Sequence, residues 1–117
     1  MEYDQLPSPE SLQKAIQAVS EHGVKVTLLE NKESALKQLQ VMIQAGATLM
    51  TGASVTLEQI GFIPLLLSGT HPWKYLRAEI LGETDPDKRT ILRRNATLAD
   101  YYIGSVNGIA ESGEIVI

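Results

Sequence analysis

Two glutamates stand where this chain could use them for chemistry. Glu58 lies in Thr51-Gly52-Ala53-Ser54-Val55-Thr56-Leu57-Glu58-Gln59-Ile60-Gly61, and Glu111 in Gly104-Ser105-Val106-Asn107-Gly108-Ile109-Ala110-Glu111. A glutamate can take or give a proton, or attack an acyl carbon, when the fold holds it against a substrate. Beside them, Gly52, Ser54, Thr56, Ser105 and Asn107 can offer backbone N–H groups, hydroxyls and an amide to a bound anion. Each carboxylate also has a plainer reading, Glu58 as a first-turn helix acid and Glu111 as a turn residue. Other chemistries lack their parts. Ser54 and Ser105 each follow a small residue, but neither sits in a Gly-x-Ser-x-Gly elbow, and neither His22 nor His71 has a place beside them. No Gly-x-x-x-x-Gly-Lys-Ser/Thr or Gly-x-Gly-x-x-Gly run occurs, so no cofactor is expected. His71, next to Pro72, reads as a surface or hinge residue, and no metal site is expected.

Composition narrows the class. At 117 residues the chain is expected to be one domain, residues 1–117, with a single core and little surplus. It has no cysteine, so it carries no disulfide, thiolate zinc site or iron–sulfur cluster, in keeping with a reducing cytoplasm. The net charge of -4 is a poor start for a nucleic-acid binder. Lys88, Arg89, Arg93 and Arg94 cluster at helical spacing and read as a solvated face, although Arg93 and Arg94 could also pair with acids or reach an anion. The run Phe62-Ile63-Pro64-Leu65-Leu66-Leu67 is too short to span a bilayer. Residues 1–12, with Glu2, Asp4 and two prolines, have no signal-peptide pattern. The expectation is a soluble, cytoplasmic protein without a membrane span.

The elements that must position these residues follow from periodicity and caps. Residues 1–7 read as a short leader. Ser8-Pro9-Glu10 starts a helix with Leu12, Ala15, Ile16 and Val19 on one face, and Gly23 ends it. The β-branched run Val24-Lys25-Val26-Thr27-Leu28-Leu29 predicts a strand. Asn31 caps a second helix whose buried stripe is Ala35, Leu36, Leu39, Met42 and Ile43, with Gly46 as terminator. Ala47–Thr51 predicts a second strand, so helix and strand alternate as in a helix-covered parallel sheet. That strand feeds a small-residue loop and then a helix, with Thr56 as hydroxyl cap and Gln59 completing a capping box. Such a turn at a strand's carboxyl end is where anions collect in open α/β sheets. Gly61 and Pro64 divide the helix, and the second piece ends at Ser68-Gly69. Thr70-His71-Pro72-Trp73 is a turn, and Trp73, Tyr75 and Leu76 begin another amphipathic piece. Asp85-Pro86-Asp87 opens the last helix, with Ile91, Leu92 and Leu98 as core contacts. Tyr101-Tyr102-Ile103 is a strand, Gly104–Gly108 a bend, and Glu111-Ser112-Gly113 turns the chain into an antiparallel Glu114–Ile117.

Two of these stretches resemble the signatures of the LUD domain family, the lactate-utilisation proteins. The first, Met50-Thr51-Gly52-Ala53-Ser54-Val55-Thr56-Leu57-Glu58-Gln59-Ile60-Gly61, is similar to that family's small-Ser-x-Thr-Leu-Glu-x-Ile-Gly pattern. The second, Ala99-Asp100-Tyr101-Tyr102-Ile103-Gly104-Ser105-Val106-Asn107-Gly108-Ile109-Ala110-Glu111-Ser112-Gly113-Glu114-Ile115-Val116, is similar to its Ala-Asp-x-x-x-Gly-Ser-x-x-Ala-x-x-Glu-x-Gly-x-Ile/Val-Val pattern, with Gly108 in place of the usual alanine. Helix and strand order over residues 30–117 agrees. The resemblance implies a Rossmann-like α/β fold, a parallel sheet flanked by helices, akin to the sugar-phosphate isomerases and CoA transferases. It implies a subunit of a system oxidising L-lactate to pyruvate beside iron–sulfur subunits. Lacking cysteine, this chain would correspond to the small LUD-only type.

Family members continue past the Gly-Glu-Ile-Val strand, so the sheet is expected to be incomplete at its C-terminus. An open Glu114–Ile117 edge then predicts a homodimer or higher oligomer. The expected pocket binds a small anionic metabolite between the Gly52–Thr56 turn and the Gly104–Asn107 bend, with Gly52, Ser54 and Thr56 as donors, Asn107 and Glu111 on the opposite wall, and Ser105 as a further binding residue. The alternative expectation is a non-catalytic interaction domain for iron–sulfur redox partners.

Overall fold

Leu49 and Phe62, both wholly buried, mark the core of the larger part of the chain. The computed structural model describes residues 5–117, so the first four residues of the leader lie outside the described residues. The chain forms two compact units. One is Leu29–Ser105; in the other, the chain up to Leu28 joins Val106–Ile117.

The larger unit opens with α2 (Lys32–Met42), where the Asn31 side chain accepts the Ser34 N–H at 2.8 Å as an N-cap. It continues through β1 (Thr48–Thr51), α3 (Val55–Gln59), α4 (Phe62–Ser68), β2 (Lys74–Tyr75), α5 (Leu76–Gly82), α6 (Pro86–Ala96) and β3 (Tyr101–Ile103). The strands pair in the order β2-β1-β3, all parallel. Leu49 lies opposite both Tyr75 and Tyr101, and Thr51 opposite Ile103. On that face Leu49 and Tyr75 pack with Ile43, Leu57, Phe62, Leu66 and Trp73, and Leu36 and Leu39 of α2 close over them. Each such buried side chain contributes about 1.5–3 kcal/mol. Thr48 and Lys74 alternate to the opposite face. There, with Leu76, Glu79, Leu92 and Ala96, they line a cavity of about 240 Å³ between the sheet and α5 and α6. Helices therefore flank both faces of a parallel sheet, the expected Rossmann-like α/β arrangement.

Two polar contacts set the register. Asp100 accepts from the Thr48 N–H at 3.0 Å while its own N–H donates to Thr48 Oγ1 at 3.0 Å, which pins the start of β3 to the start of β1. The buried Thr51 and Tyr75 hydroxyls bond each other at 2.6 Å. Leaving either one unpartnered would cost about 1–3 kcal/mol, so the pair also selects which residues face inward.

Several expectations need correction. Residues 24–29 form no strand. A β-branched run becomes a strand only when a neighbouring strand supplies ladder partners, and among the described residues none pairs with it. The sheet's third strand is instead β2, only two residues long and too short to show a period of two. Met42 is exposed, and Ile43 carries the buried contact just past the helix end. Ile91 and Leu98 are exposed as well; α6 is mostly polar and buries Ala96 instead. Gly61, in the left-handed conformation at φ +87°, separates α3 from α4, whereas Pro64 sits in the first turn of α4, where its missing N–H costs no helical bond.

The smaller unit holds α1 (Pro9–Glu21) and the antiparallel pair β4 (Gly108–Ile109) and β5 (Ile115–Val116). Ser8 caps α1 by accepting the Ser11 N–H, and Pro9 occupies the first helical position. No helix among the described residues is long and apolar enough to cross a membrane.

Candidate functional site at the carboxyl edge of the sheet

Because β1 and β3 are parallel neighbours, the chain leaves both at the same edge of the sheet. Gly52 follows the end of β1 and Gly104 the end of β3, side by side. The β1 exit runs into α3. Ser54 is its N-cap, buried, with Oγ accepting the Leu57 N–H at 3.1 Å. The same hydroxyl donates to Ser105 Oγ at 2.9 Å. The hydroxyls of the two motif serines are thus joined across the strand exits, fifty-one residues apart in sequence.

Thr56 does not cap α3. It sits one residue inside the helix and is exposed, because the chain turns helical two residues earlier than the Thr56–Gln59 capping box predicts. Glu58 is also exposed and makes no side-chain hydrogen bond or ion pair among the described residues. Asn107 and Glu111 belong to the smaller unit. There the Asn107 N–H donates to the Val116 carbonyl at 2.7 Å, closing the hairpin, and Glu111 accepts from the Ser11 hydroxyl at 2.6 Å. Nearby the Ser112 hydroxyl donates to Glu114, and that bond holds the exposed Glu114 carboxyl below its ordinary range. Of the sequence-predicted site residues, the structure brings Gly52, Ser54 and Ser105 together at one edge.

Two further residues stand at this edge. Arg77, at the start of α5, donates from Nη1 to the Thr51 carbonyl at 3.3 Å and is half-buried. Tyr102, at the middle of β3, points away from the core side. A Cβ built on Gly52 would lie 2.7 Å from the Tyr102 hydroxyl oxygen, and one built on Gly104 would lie 3.3 Å from its ring. The ring therefore lies over both glycines. Tyr102 was within reach of sequence reading, since it stands two residues before Gly104 in the second motif. Arg77 was not, because its position depends on β2.

Both signatures thus converge on one edge of one sheet, and a model of the LUD domain matches residues 12–117. The chain belongs to the LUD domain family. The match extends beyond residues 30–117 to include α1 from Leu12 onward and the segment after it. Membership ties the protein to lactate utilisation. No curated protein and no solved structure matches the chain.

Several motif residues of this LUD domain now have structural work. Asp100 is the register clamp on Thr48, Leu57 is a core residue, and Gly61 supplies the left-handed link into α4. His71 is structural too. Trp73 N–H donates to its Nδ1 at 3.2 Å, which leaves Nε2 to carry the proton donated to the Leu66 carbonyl at 3.0 Å. Its ring stacks on Trp73 at 5.4 Å.

Proposed function

We propose that this LUD-domain protein is a cytoplasmic subunit of an L-lactate to pyruvate oxidation system and holds a small anionic metabolite at the carboxyl edge of its sheet. The observation that carries the reading is the hydrogen bond between Ser54 and Ser105, which brings the two family motifs together at the strand exits. In open α/β sheets, ligands bind in the crevice outside the carboxyl ends of the strands, where connections leave neighbouring strands in different directions. Here β1 continues into α3, on the core side with Leu57, while β3 continues into the Gly104-Ser105 bend. Gly52, Ser54 and Ser105 are the proposed binding residues, with Thr56 at the rim. Glu58 is the proposed proton-transfer carboxylate of the larger unit. Asn107 and Glu111 lie in the smaller unit and are not included in this site. Oxidising lactate to pyruvate removes two electrons and two protons; a chain without cysteine carries no iron–sulfur cluster, so in this reading the iron–sulfur subunits are the electron acceptor.

Isothermal titration of the chain with L-lactate, pyruvate, CoA and nucleotides tests the reading. Lactate or pyruvate is expected to bind, and Ser105→Ala to weaken binding by about threefold to tenfold, the worth of one hydrogen bond. Heat-silent titrations with every compound would sink it.

An assembly role is a second reading, favoured by the smaller unit. Ile109, Ile115 and Val116 are exposed on a two-stranded sheet, and such a sheet keeps free edges and is marginal alone. A second copy of this chain pairing along β5 would cover them. Sedimentation at micromolar concentration is then expected to show a dimer; a clean monomer would refute the idea.

A further inference from the structure

We propose that Arg77 is the charged anchor of the carboxyl-edge site and that, with the Tyr102 hydroxyl over Gly52 and Gly104, it selects a small carboxylate. This rests on the reading above that an anion binds at that edge. A guanidinium has five N–H donors in a planar fork. Arg77 spends one on the Thr51 carbonyl, at a distance near the long end for such a bond. Among the described residues the ion pairs are Lys14–Glu10 and Lys74–Glu79, so Arg77 has no carboxylate partner there. Arg89 shows the contrast: it turns Nε and Nη2 onto the Glu83 carbonyl at 3.0 and 2.6 Å and ties down the start of α6. Arg77 is therefore a half-buried cation, tethered beside the strand exit, with most of its fork unspent.

The neighbouring surface suits what that fork recognises. The Thr51 carbonyl held by Arg77 belongs to the same peptide unit as the Gly52 N–H, so the guanidinium stands one peptide plane from the first glycine. α5 packs against β1, and its Leu76 and Glu79 lie on the Thr48 and Lys74 face. Met50 and Tyr102, register partners, alternate to that same face. Gly52 and Gly104 continue it two residues further on, and there the backbone is bare. Neighbouring strands are about 4.8 Å apart, so the bare floor is about one side chain wide. That width admits a two- or three-carbon acid. A planar carboxylate matches an arginine fork in geometry as well as charge. Tyr102, 71 % exposed, can turn about its side-chain bonds, so its hydroxyl can move off Gly52 and donate to the ligand.

Nuclear magnetic resonance of the full chain tests this, with L-lactate, its neutral analogue lactamide and inorganic phosphate as probes. L-Lactate is expected to shift the Arg77 Nε–H signal together with the Gly52 and Gly104 amides, and lactamide to leave all three in place. Arg77→Gln should weaken lactate at least tenfold and Arg77→Lys less, because lysine keeps the charge but loses the fork. The signal of the unmodified protein decides the matter even if Arg77→Gln fails to fold. Shifts at the two glycines without one at Arg77, with unchanged affinity in Arg77→Gln or Arg77→Lys, would overturn the role of Arg77 and leave the anion reading standing. Phosphate binding more tightly than lactate would overturn the carboxylate selection. No shift with any probe would overturn both.

Discussion

Replacing Phe62 with alanine is expected to cost about 3–5 kcal/mol, the range for emptying a buried aromatic site. Phe62 is wholly buried as the first residue of α4, and the left-handed Gly61 sets its direction of entry. Its ring lies 5.9 Å from that of Trp73, inclined at 47°, and the Trp73 indole N–H donates to the Ile43 carbonyl at 3.3 Å. The lost ring would therefore unsupport Trp73 and, through it, the junction from α2 into β1. A domain this size has ~5–15 kcal/mol in all, so the substitution removes about a fifth of its stability or more. Phe62→Leu, closer in volume, should cost less, and Leu67→Ala, at an exposed position in the same helix, should cost little. Urea unfolding followed by tryptophan fluorescence reads all three. A Phe62→Ala loss below about 1 kcal/mol would mean that the core does not depend on this ring.

The second large effect is expected at Gly113→Ala. Gly113 has φ +101°, a conformation that side chains rarely adopt. A Cβ there would also meet the Ala18 carbonyl carbon and oxygen, each at 3.0 Å, and His22 Nδ1 at 3.0 Å. The left-handed conformation alone costs roughly 1–2 kcal/mol for a residue with a Cβ. The Ala18 backbone lies within α1 and cannot rotate aside, so the steric cost adds to it. The smaller unit has little in reserve, since Val19 is its only buried hydrophobic residue among those described. Loss of the β4–β5 hairpin is the expected result. Amide exchange would then speed up at Asn107 and Ala110, whose N–H groups donate to Val116 and Glu114 in that hairpin, while Leu49 stays protected. Gly46→Ala is the control: its φ is +82°, but its Cβ would meet nothing within 4 Å, so only the conformational cost applies. Unchanged protection in Gly113→Ala would refute the predicted coupling between the turn and α1.

Much of the local structure was legible from residue types alone. Ser8 and Asn31 cap their helices as expected, and the last helix opens at Asp85-Pro86-Asp87, because a side-chain oxygen two or three residues before an orphan N–H is a local relation. β1, β3 and the closing hairpin fell where apolar runs and turn residues placed them. Caps misled at one point, where Ser54 and Thr56 both qualify and only the path out of β1 decides between them. The run at residues 24–29 misled for a different reason: its composition suits a strand, but a strand also needs a partner, and pairing is not a local property.

The sequence by itself determined the family, through two motifs whose spacing is read along one chain, and most of the helix boundaries, through contacts three or four residues long. Only the tertiary structure decided which chemistry-bearing residues meet. Parallel pairing of Leu49 with Tyr101 brings Ser54 to Ser105 and lays Tyr102 over Gly52. The two-residue β2 delivers Arg77 to the Thr51 carbonyl. Those contacts join residues 26 to 52 positions apart, and their geometry comes from strand order and register. Neither leaves a periodic trace in the chain, because each is set by which backbone groups find partners once the core around Leu49 and Phe62 has formed.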